Sequence, residues 1–278
     1  RKLVDKQGKL LQDIAKRSDA VQIQLGYDGN LNTIFTGYVA YIKATTPAEY
    51  QLENEMFKHK QKSVQVKSWQ KASVDTVMQH LGISNYETFG SIDLGAFQID
   101  DKIKNEAGVF DKIKQQYGIS FFYRRGKLVV GKPYDINTAK THNFSFQHNI
   151  ISNDLEYKRK DEVAIKVKAI SNFDNGKKET VELGDADGET HTLNFYNLSK
   201  ASLKASAEAE IEKLKYDGYR GKFTTFGLPK VEIGDIANII DEEYAEREGR
   251  FFIDEVKTTC TVSAGLKQEI TLGFKANK

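Results

Sequence analysis

The sequence predicts an α+β protein that is mainly β, with two similar small antiparallel β-barrel units and an inserted α+β module. Near both ends of the chain, short apolar runs rich in β-branched and aromatic residues lie between charged or Gly-containing turns, which is typical of strands. In the middle, apolar residues recur at helical spacing. Both β regions also begin with a similar motif, which indicates two related units in one chain.

The first predicted unit spans residues 1–66, and its strands are expected to close a small antiparallel barrel or sandwich. Val21–Leu25 alternates apolar and polar side chains, as a half-buried strand does. Tyr27–Asn30 fits a hairpin turn. Three more strands are predicted at Ile34–Lys43, Tyr50–Phe57 and Ser63–Val66.

Residues 67–135 are predicted to form a separable α+β module. Ser73 is a good N-cap for a helix that ends at Gly82. A second amphipathic helix is predicted at Asn105–Tyr117, and Gly118 after it suits a helix end. The remaining predicted parts are an apolar stretch at Phe89–Phe97 and a hairpin of Ile119–Tyr123 with Lys127–Val130.

Residues 136–278 are predicted to form the second barrel, with a helical insertion near residues 199–217. The helix is predicted at Ser199–Tyr216 because apolar residues share one face of that stretch. The predicted strands are Phe144–Phe146, Leu155–Lys158, Val163–Ile170, Glu179–Leu183, Phe223–Phe226, Ile236–Ile240, Phe251–Val256 and Ile270–Leu272.

The two β regions share a layout of motifs. Asp19 precedes a strand whose return carries Gly37-Tyr38, and Asp235 precedes a strand whose return carries Gly249-Arg250-Phe251. Gly adopts positive φ at little cost and Asp can bond its own backbone, so Gly-Asp suits a turn that starts a strand. The residues predicted to define the fold and its interfaces are Asp19, Gly26, Tyr27, Phe35, Gly37, Tyr38, Gly234, Asp235, Gly249, Phe251 and Gly273.

Composition limits the classes of function. The 278 residues suggest about two domains, and 39% hydrophobic residues are enough for a packed core. No apolar run approaches the roughly 20 residues that span a bilayer, and no signal-peptide pattern stands at the start. The net charge is +2 with both signs interspersed, which gives no footprint for nucleic acid. We therefore expect no membrane-spanning segment and no sequence-specific nucleic-acid binding.

No catalytic residue, metal site or cofactor is predicted. The five histidines form no H-E-x-x-H pair, and no nucleophile elbow, phosphate loop or dinucleotide fingerprint is present. The single cysteine, Cys260, is expected to be a small buried residue of a strand. Arg124-Arg125 and Asp241–Glu243 are predicted as solvated turns, and Gly184–Glu189 as a polar turn rather than a calcium loop.

The order of these motifs resembles that of phage tail hub (baseplate hub) proteins, a family related to the hub part of VgrG spike proteins. Residues 18–56 are similar to the family's first barrel, although Ser18 stands where the family usually has Gly. The helix leading into residues 117–131 is similar to the inserted module of the family. The quoted motifs are Asp19, Phe35–Val39, Pro47 and Glu53–Glu55 for the first barrel, and Gly227–Pro229, Gly234-Asp235, Gly249–Ile253 and Ile270–Leu272 for the second.

The resemblance implies a structural protein rather than an enzyme. It implies a homotrimeric ring in which two similar barrels per chain give pseudo-sixfold symmetry, joining a tail tube protein to a spike or puncturing protein. It also implies a place in a virion tail or injection apparatus that is assembled in the bacterial cytoplasm. The strands around Ile34–Ile42 and Phe251–Val256 are expected to form the ring, with the middle module outside it.

Two other classes stay open at this point. One is a tail-associated cell-wall hydrolase. The other is a carbohydrate- or peptide-binding β module in which Tyr27, Tyr38 and Tyr41 line a groove.

Overall fold

The computed structural model describes residues 15–43, 45, 49–88, 92–131, 134, 138–173 and 176–276. Within these residues the protein is α+β and mainly β, as the sequence predicts. Residues 1–14, Pro47 and the beginning of the predicted stretch at Phe89 lie outside the described residues.

The first strands form a three-stranded antiparallel sheet, which we call the first meander: β1 (Ala20–Tyr27), β2 (Asn30–Lys43) and β3 (Glu49–Glu53). The predicted hairpin turn is confirmed. Its central residues Asp28 and Gly29 have φ of 51° and 79°, which matches the twist of the strands they join. Among the described residues this sheet is open, so the closure predicted for a first barrel is not seen there.

The predicted strand at Tyr50–Phe57 is wrong in its second half. Asn54 ends the strand because its side-chain oxygen accepts the Met56 N–H at 3.0 Å, and helix α1 (Met56–Gln61) follows. The predicted strand at Ser63–Val66 is also wrong, since only Ser63 makes an isolated bridge. An apolar alternation of four residues does not form a strand where no neighbouring strand pairs with it.

The middle of the chain forms an α+β unit around one core. Ser73 caps α2 by accepting the Thr76 N–H, and Asn105 caps α3 by accepting the Gly108 N–H. Both predicted helices are thus confirmed. Met56 and Val64 pack against this core from before the predicted boundary at residue 67. The elements are β4 (Lys67–Ser73), α2 (Val74–His80), β5 (Tyr86–Thr88), β6 (Asp93–Ile99), α3 (Glu106–Tyr117), β7 (Ser120–Arg124) and β8 (Lys127–Gly131).

The last part of the chain builds a six-stranded sheet that curls into a barrel. Its spatial order is β10-β14-β17-β16-β15-β9. The two edge strands β9 and β10 follow each other in sequence across residues 146–149, and Phe144 of β9 packs on Phe223 of β14 with ring centroids 4.8 Å apart, so the sheet curls strongly. The strands are β9 (Thr141–Ser145), β10 (Ile150–Lys158), β14 (Gly218–Phe226), β15 (Ile236–Ile240), β16 (Gly249–Thr261) and β17 (Gly265–Lys275). Its core contains Phe144, Tyr219, Phe223, Val231, Ala237, Ile239, Phe251, Ile253, Ile270 and Leu272.

The predicted helix near residues 199–217 belongs to a larger insertion between β10 and β14. It contains β11 (Ile165–Asn172), β12 (Lys178–Gly184), β13 (Glu189–Tyr196) and α4 (Lys200–Leu214). The sheet has the order β12-β11-β13, with β11 and β13 parallel. Leu203 and Ala207 of α4 pack on its inner face. The strand β13 was not predicted from the sequence.

Candidate functional site

The shared sequence motif forms two turns of the same geometry, which we call the first launch turn (Lys16–Asp19) and the second launch turn (Glu232–Asp235). In each turn the Asp N–H donates to the carbonyl of the first residue, at 3.1 Å and 3.0 Å respectively. The Asp carboxylate in return accepts the N–H of that first residue, at 2.7 Å and 3.1 Å. The third residue has positive φ in both, 75° at Ser18 and 85° at Gly234. Ser18 thus adopts the conformation for which Gly is usually needed.

Each launch turn fixes the register of its return strand in the same way. The N–H of Ser18 donates to the Val39 carbonyl at 2.8 Å, and the Val39 N–H donates to the Asp19 carbonyl at 3.0 Å. The second launch turn has the same two bonds: the Gly234 N–H donates to the Ile253 carbonyl, and the Ile253 N–H donates to the Asp235 carbonyl, both at 2.8 Å. The next ladder pairs, Ala20 with Tyr38 and Ile236 with Phe252, are therefore equivalent. The sequence echo corresponds to a repeated local structure.

The return strands carry a Phe–Gly pair in opposite order. In the first meander, Gly37 lies two residues before Val39 and Phe35 lies four residues before it. In the barrel, Phe251 lies two residues before Ile253 and Gly249 lies four residues before it. A Cβ on Gly37 would lie 2.7 Å from the Phe35 ring, and one on Gly249 would lie 2.9 Å from the Phe251 ring. Each Phe ring thus lies over its Gly. Gly273 is less restricted, with 3.3 Å between a Cβ and the nearest backbone oxygen.

Asp235 of the second launch turn is the most connected of the predicted residues. It is 2% exposed. Besides the Glu232 amide, its carboxylate accepts the Lys140 N–H at 3.1 Å, Arg125 Nη2–H at 2.9 Å and His142 Nε2–H at 3.1 Å. Lys140 directly precedes β9, and Arg125 lies in the β7–β8 turn. Asp235 therefore joins the middle unit, β9 and β15 at one point.

The charge of Asp235 is stabilised by its donors. Burial acts to raise the pKa of the Asp235 carboxyl, but the hydrogen bonds from His142 and from the amides of Lys140 and Glu232 outweigh it. The pKa of Asp235 is therefore held below its usual value. The group stays ionised at neutral pH and acts as an acceptor.

Tyr27 connects the first meander to the barrel. Its hydroxyl donates to the Leu266 carbonyl at 2.5 Å and accepts the Gly227 N–H at 3.0 Å. Gly26 beside it has no room for a side chain, since a Cβ would lie 1.8 Å from the Asn30 carbonyl oxygen. The tip of the β1–β2 hairpin is thereby held against one end of β14 and β17.

Tyr38 connects the first meander to α1. Its hydroxyl donates to Glu55 at 2.9 Å, and its ring stacks on Phe57 with centroids 5.9 Å apart. The Lys58 ammonium lies 4.7 Å from the Tyr38 ring centroid and pairs with Glu55. Burial acts to raise the pKa of Glu55, but hydrogen bonds from Lys58 and Tyr38 lower it overall. This set of contacts orients the meander on the middle unit.

A second buried polar cluster, at His59, was not predicted from the sequence. His59 lies 2.6 Å from Glu106 through Nδ1 and 2.9 Å from the Tyr123 hydroxyl through Nε2. Glu106, at the start of α3, is 1% exposed and also pairs with Lys62 at 2.6 Å. The cluster fixes α1 against α3 and β7. The one local signal for this cluster is Glu106 in the first turn of a predicted helix, where a carboxylate is favoured. The contacts of His59 with Glu106 and Tyr123 join residues that are distant in sequence, so the sequence pattern does not reveal them.

Three predictions about single residues are wrong. Of Arg124-Arg125, only Arg125 lies in the turn and is exposed; Arg124 is buried at the end of β7, and Arg125 also pairs with Asp235. Asp241 is also buried, and it accepts the Tyr219 hydroxyl at 2.9 Å. Cys260 is exposed rather than buried, because β16 and β17 continue past the barrel core as a hairpin.

The arrangement of these residues holds structural elements together. Across the described ranges, no group of three or more His, Cys, Asp or Glu residues is placed to hold a metal ion. In that same part of the chain, no helix combines the length and apolar character needed to cross a membrane.

Comparison with known proteins gives structural neighbours only. No protein-family model matches the chain, and no curated protein matches it by sequence. Among solved structures, it is similar to the tail protein from Neisseria meningitidis MC58, with 15% identity and a TM-score of 0.58. That match covers 87% of this chain and 80% of the other. A chain of the virion of the native gene transfer agent particle is similar at 18% identity and a TM-score of 0.46, covering 73% of this chain and 46% of that one. At such identities, the first match shows a shared fold.

Proposed function

We propose that this protein is a structural, non-enzymatic component of a phage-type tail, a baseplate hub that forms a homotrimeric ring between the tail tube and the spike. It acts in a virion tail or a related injection apparatus and is assembled in the bacterial cytoplasm. The observation that carries the proposal is the fold shared with a tail protein over 87% of the chain.

The repeated launch turn supports the ring. Two β units that share this turn and the strand pair after it allow three chains to present six related surfaces, which suits contact with a sixfold tube on one face and a threefold spike on the other. Asp235, Tyr27 and Tyr38 support it further, because they fix the two β units relative to each other. A symmetry adaptor needs that fixed relation, since both units must meet the same partner.

Electron microscopy of assembled tails that contain this chain tests the proposal. We expect three copies in one ring at the junction of tube and spike, with the first meander and the barrel alternating around it. A different symmetry, or a position away from that junction, would refute the hub function. Clearing of a cell-wall suspension by the purified protein would refute its non-enzymatic character.

A further inference from the structure

A cavity of about 490 Å³ opens at one end of the barrel, away from the contacts that join the units. Its walls come from the β9–β10 turn, from β10 and β14, and from the loop between β15 and β16. The volume falls within the about 300–1,000 Å³ that small-molecule sites usually have, and the mouths of barrels are among the places where such sites occur. The side chains that line the cavity therefore decide what it can hold.

The loop between β15 and β16 is longer than the strand pairing requires. Through the launch turns, β1 and β2 of the first meander correspond to β15 and β16, yet Asp28 and Gly29 alone join them. In the barrel the connection is Asp241–Glu248, which includes a 3₁₀ turn at Ala245–Arg247. Two residues suffice to join such a strand pair. Loops that a rigid scaffold carries beyond this need are where binding residues are common.

Aromatic side chains form one wall and the rim of the cavity. The ring centroids of Phe146 and Tyr157 each lie 5.4 Å from that of Tyr219. Tyr244 of the loop lies at the rim, where it is 44% exposed. The Arg247 guanidinium lies 4.0 Å from the Tyr244 ring centroid and 5.8 Å from that of Tyr157. The cavity thus offers flat apolar surfaces, and one of these rings is partly open to solvent.

Asp241 holds this rim in place without a ligand. It is 6% exposed, and its carboxylate accepts the Tyr219 hydroxyl at 2.9 Å and the N–H groups of Glu243 and Tyr244 at 3.2 Å each. Burial acts to raise the pKa of Asp241, but these hydrogen bonds lower it overall. The loop is therefore anchored to the barrel by an ionised carboxylate. A site that is already formed loses less free energy on binding than one that must first be ordered.

Three polar groups that line the cavity have no hydrogen-bond or ion-pair partner within the described residues. They are the hydroxyl groups of Tyr157 and Tyr244 and the carboxylate of Glu243. The Arg247 side chain is 40% exposed, and its ion pair with Glu246 is long, at 3.8 Å. Both donors and acceptors are therefore available to a ligand in one cavity.

The charges around the cavity select the class of ligand. Asp241 and Glu243 repel an anion, and Arg247 repels a cation. A neutral molecule with many hydroxyl groups meets neither repulsion, and each hydroxyl group can both donate and accept a hydrogen bond. A pyranose ring has in addition an apolar face of C–H groups, which packs against an aromatic ring. A neutral saccharide fits all of these features.

We propose that this cavity binds a neutral saccharide. Tyr244 packs against the apolar face of one pyranose ring, Glu243 accepts hydrogen bonds from its hydroxyl groups, and Arg247 donates to them. Saccharide binding goes beyond the proposed hub function and does not depend on it.

A glycan array probed with the purified full chain tests the proposal, followed by isothermal titration with the neutral glycan that is retained most. We expect at least one neutral glycan to be retained. Tyr244→Ala should weaken its binding about tenfold, because the stacking surface is lost. Glu243→Gln should weaken it by a similar factor, because a hydrogen bond to a charged acceptor becomes one to a neutral acceptor. Both residues are exposed on a loop, so the circular dichroism spectrum should stay unchanged.

Two controls match these variants. Tyr41→Ala removes a tyrosine that is 55% exposed on β2, and it also tests the groove of Tyr27, Tyr38 and Tyr41 considered from the sequence. Glu242→Gln removes an exposed carboxylate of the same loop that does not line the cavity. Both variants should keep the affinity of the unmodified protein.

The proposal is overturned if the array retains no neutral glycan, or if either cavity variant binds as well as the unmodified protein. It is also overturned if Tyr41→Ala or Glu242→Gln weakens binding as much as the cavity variants do. None of these results bears on the hub function, which is tested by the symmetry of assembled tails. Conversely, tails without a threefold ring refute the hub and leave saccharide binding standing.

Discussion

Replacing Asp235 with Ala should destabilise the protein by about 3–5 kcal/mol, the usual effect of removing one partner from a buried charged pair. The side chain is 3% exposed, and its carboxylate accepts hydrogen bonds from two backbone amides, from His142 and from Arg125. Each hydrogen bond to a charged group contributes about 1.5–3 kcal/mol, but the four are not additive. The Arg125 side chain is 36% exposed, so solvent can replace its contact with Asp235 and this ion pair contributes little to the loss. We therefore expect a destabilisation in the lower half of the range of about 3–5 kcal/mol.

The first launch turn offers a matched control in the same molecule. Asp19→Ala removes the same backbone turn contact, but Asp19 is exposed and its carboxylate accepts only the Lys16 amide within the described residues. We expect a loss of about 1 kcal/mol, comparable to the loss of a helix N-cap. The difference between the two variants isolates the effect of burial and of the long-range donors.

Urea denaturation followed by circular dichroism measures both variants, with the slope m required to stay constant. The reasoning is refuted if Asp235→Ala lies within about 0.5 kcal/mol of Asp19→Ala, which is the usual effect of a surface substitution. In that case the contacts of Asp235 contribute no more to the free energy of unfolding than the local turn does.

The remaining predictions concern pH, packing and the connections between units. Because the pKa of Asp235 is lowered on folding, its stabilisation is complete above the unfolded value of 3.8 and is lost as pH falls through the folded pKa; Asp235→Asn should flatten this acid limb of the stability curve. Gly37→Ala places a Cβ 2.1 Å from a carbonyl of β3 and should cost about 1–3 kcal/mol in thermal unfolding, whereas Gly273→Ala, at 3.3 Å, should cost less; equal losses contradict this. Tyr27→Phe removes two hydrogen bonds, should cost about 1 kcal/mol, and should speed amide exchange at the β1–β2 turn; unchanged exchange contradicts it. Glu106→Ala leaves His59 without its carboxylate and should cost about 3 kcal/mol in urea denaturation, against near zero for Asp111→Ala on the same helix.

The local elements could be predicted because their signals lie within a few residues. Ser73 and Asn105 cap helices that end at His80 and Tyr117, and the Asp28-Gly29 turn joins two alternating strands. Predictions failed where the local pattern was short. Residues 54–57 are predicted as the second half of a strand, yet a hydrogen bond from the Met56 amide to Asn54 ends β3 and the chain continues as a helix.

The sequence by itself determined the mainly β fold class, both amphipathic helices of the middle unit and the echo of Asp19 in Asp235. It did not determine which of these two aspartates is buried. Their launch turns have the same local geometry, but Arg125 and His142 reach Asp235 from 110 and 93 residues away. Only the tertiary structure brings such donors together. Backbone conformation follows from nearby residues, whereas burial and charge pairing depend on which distant strands lie alongside.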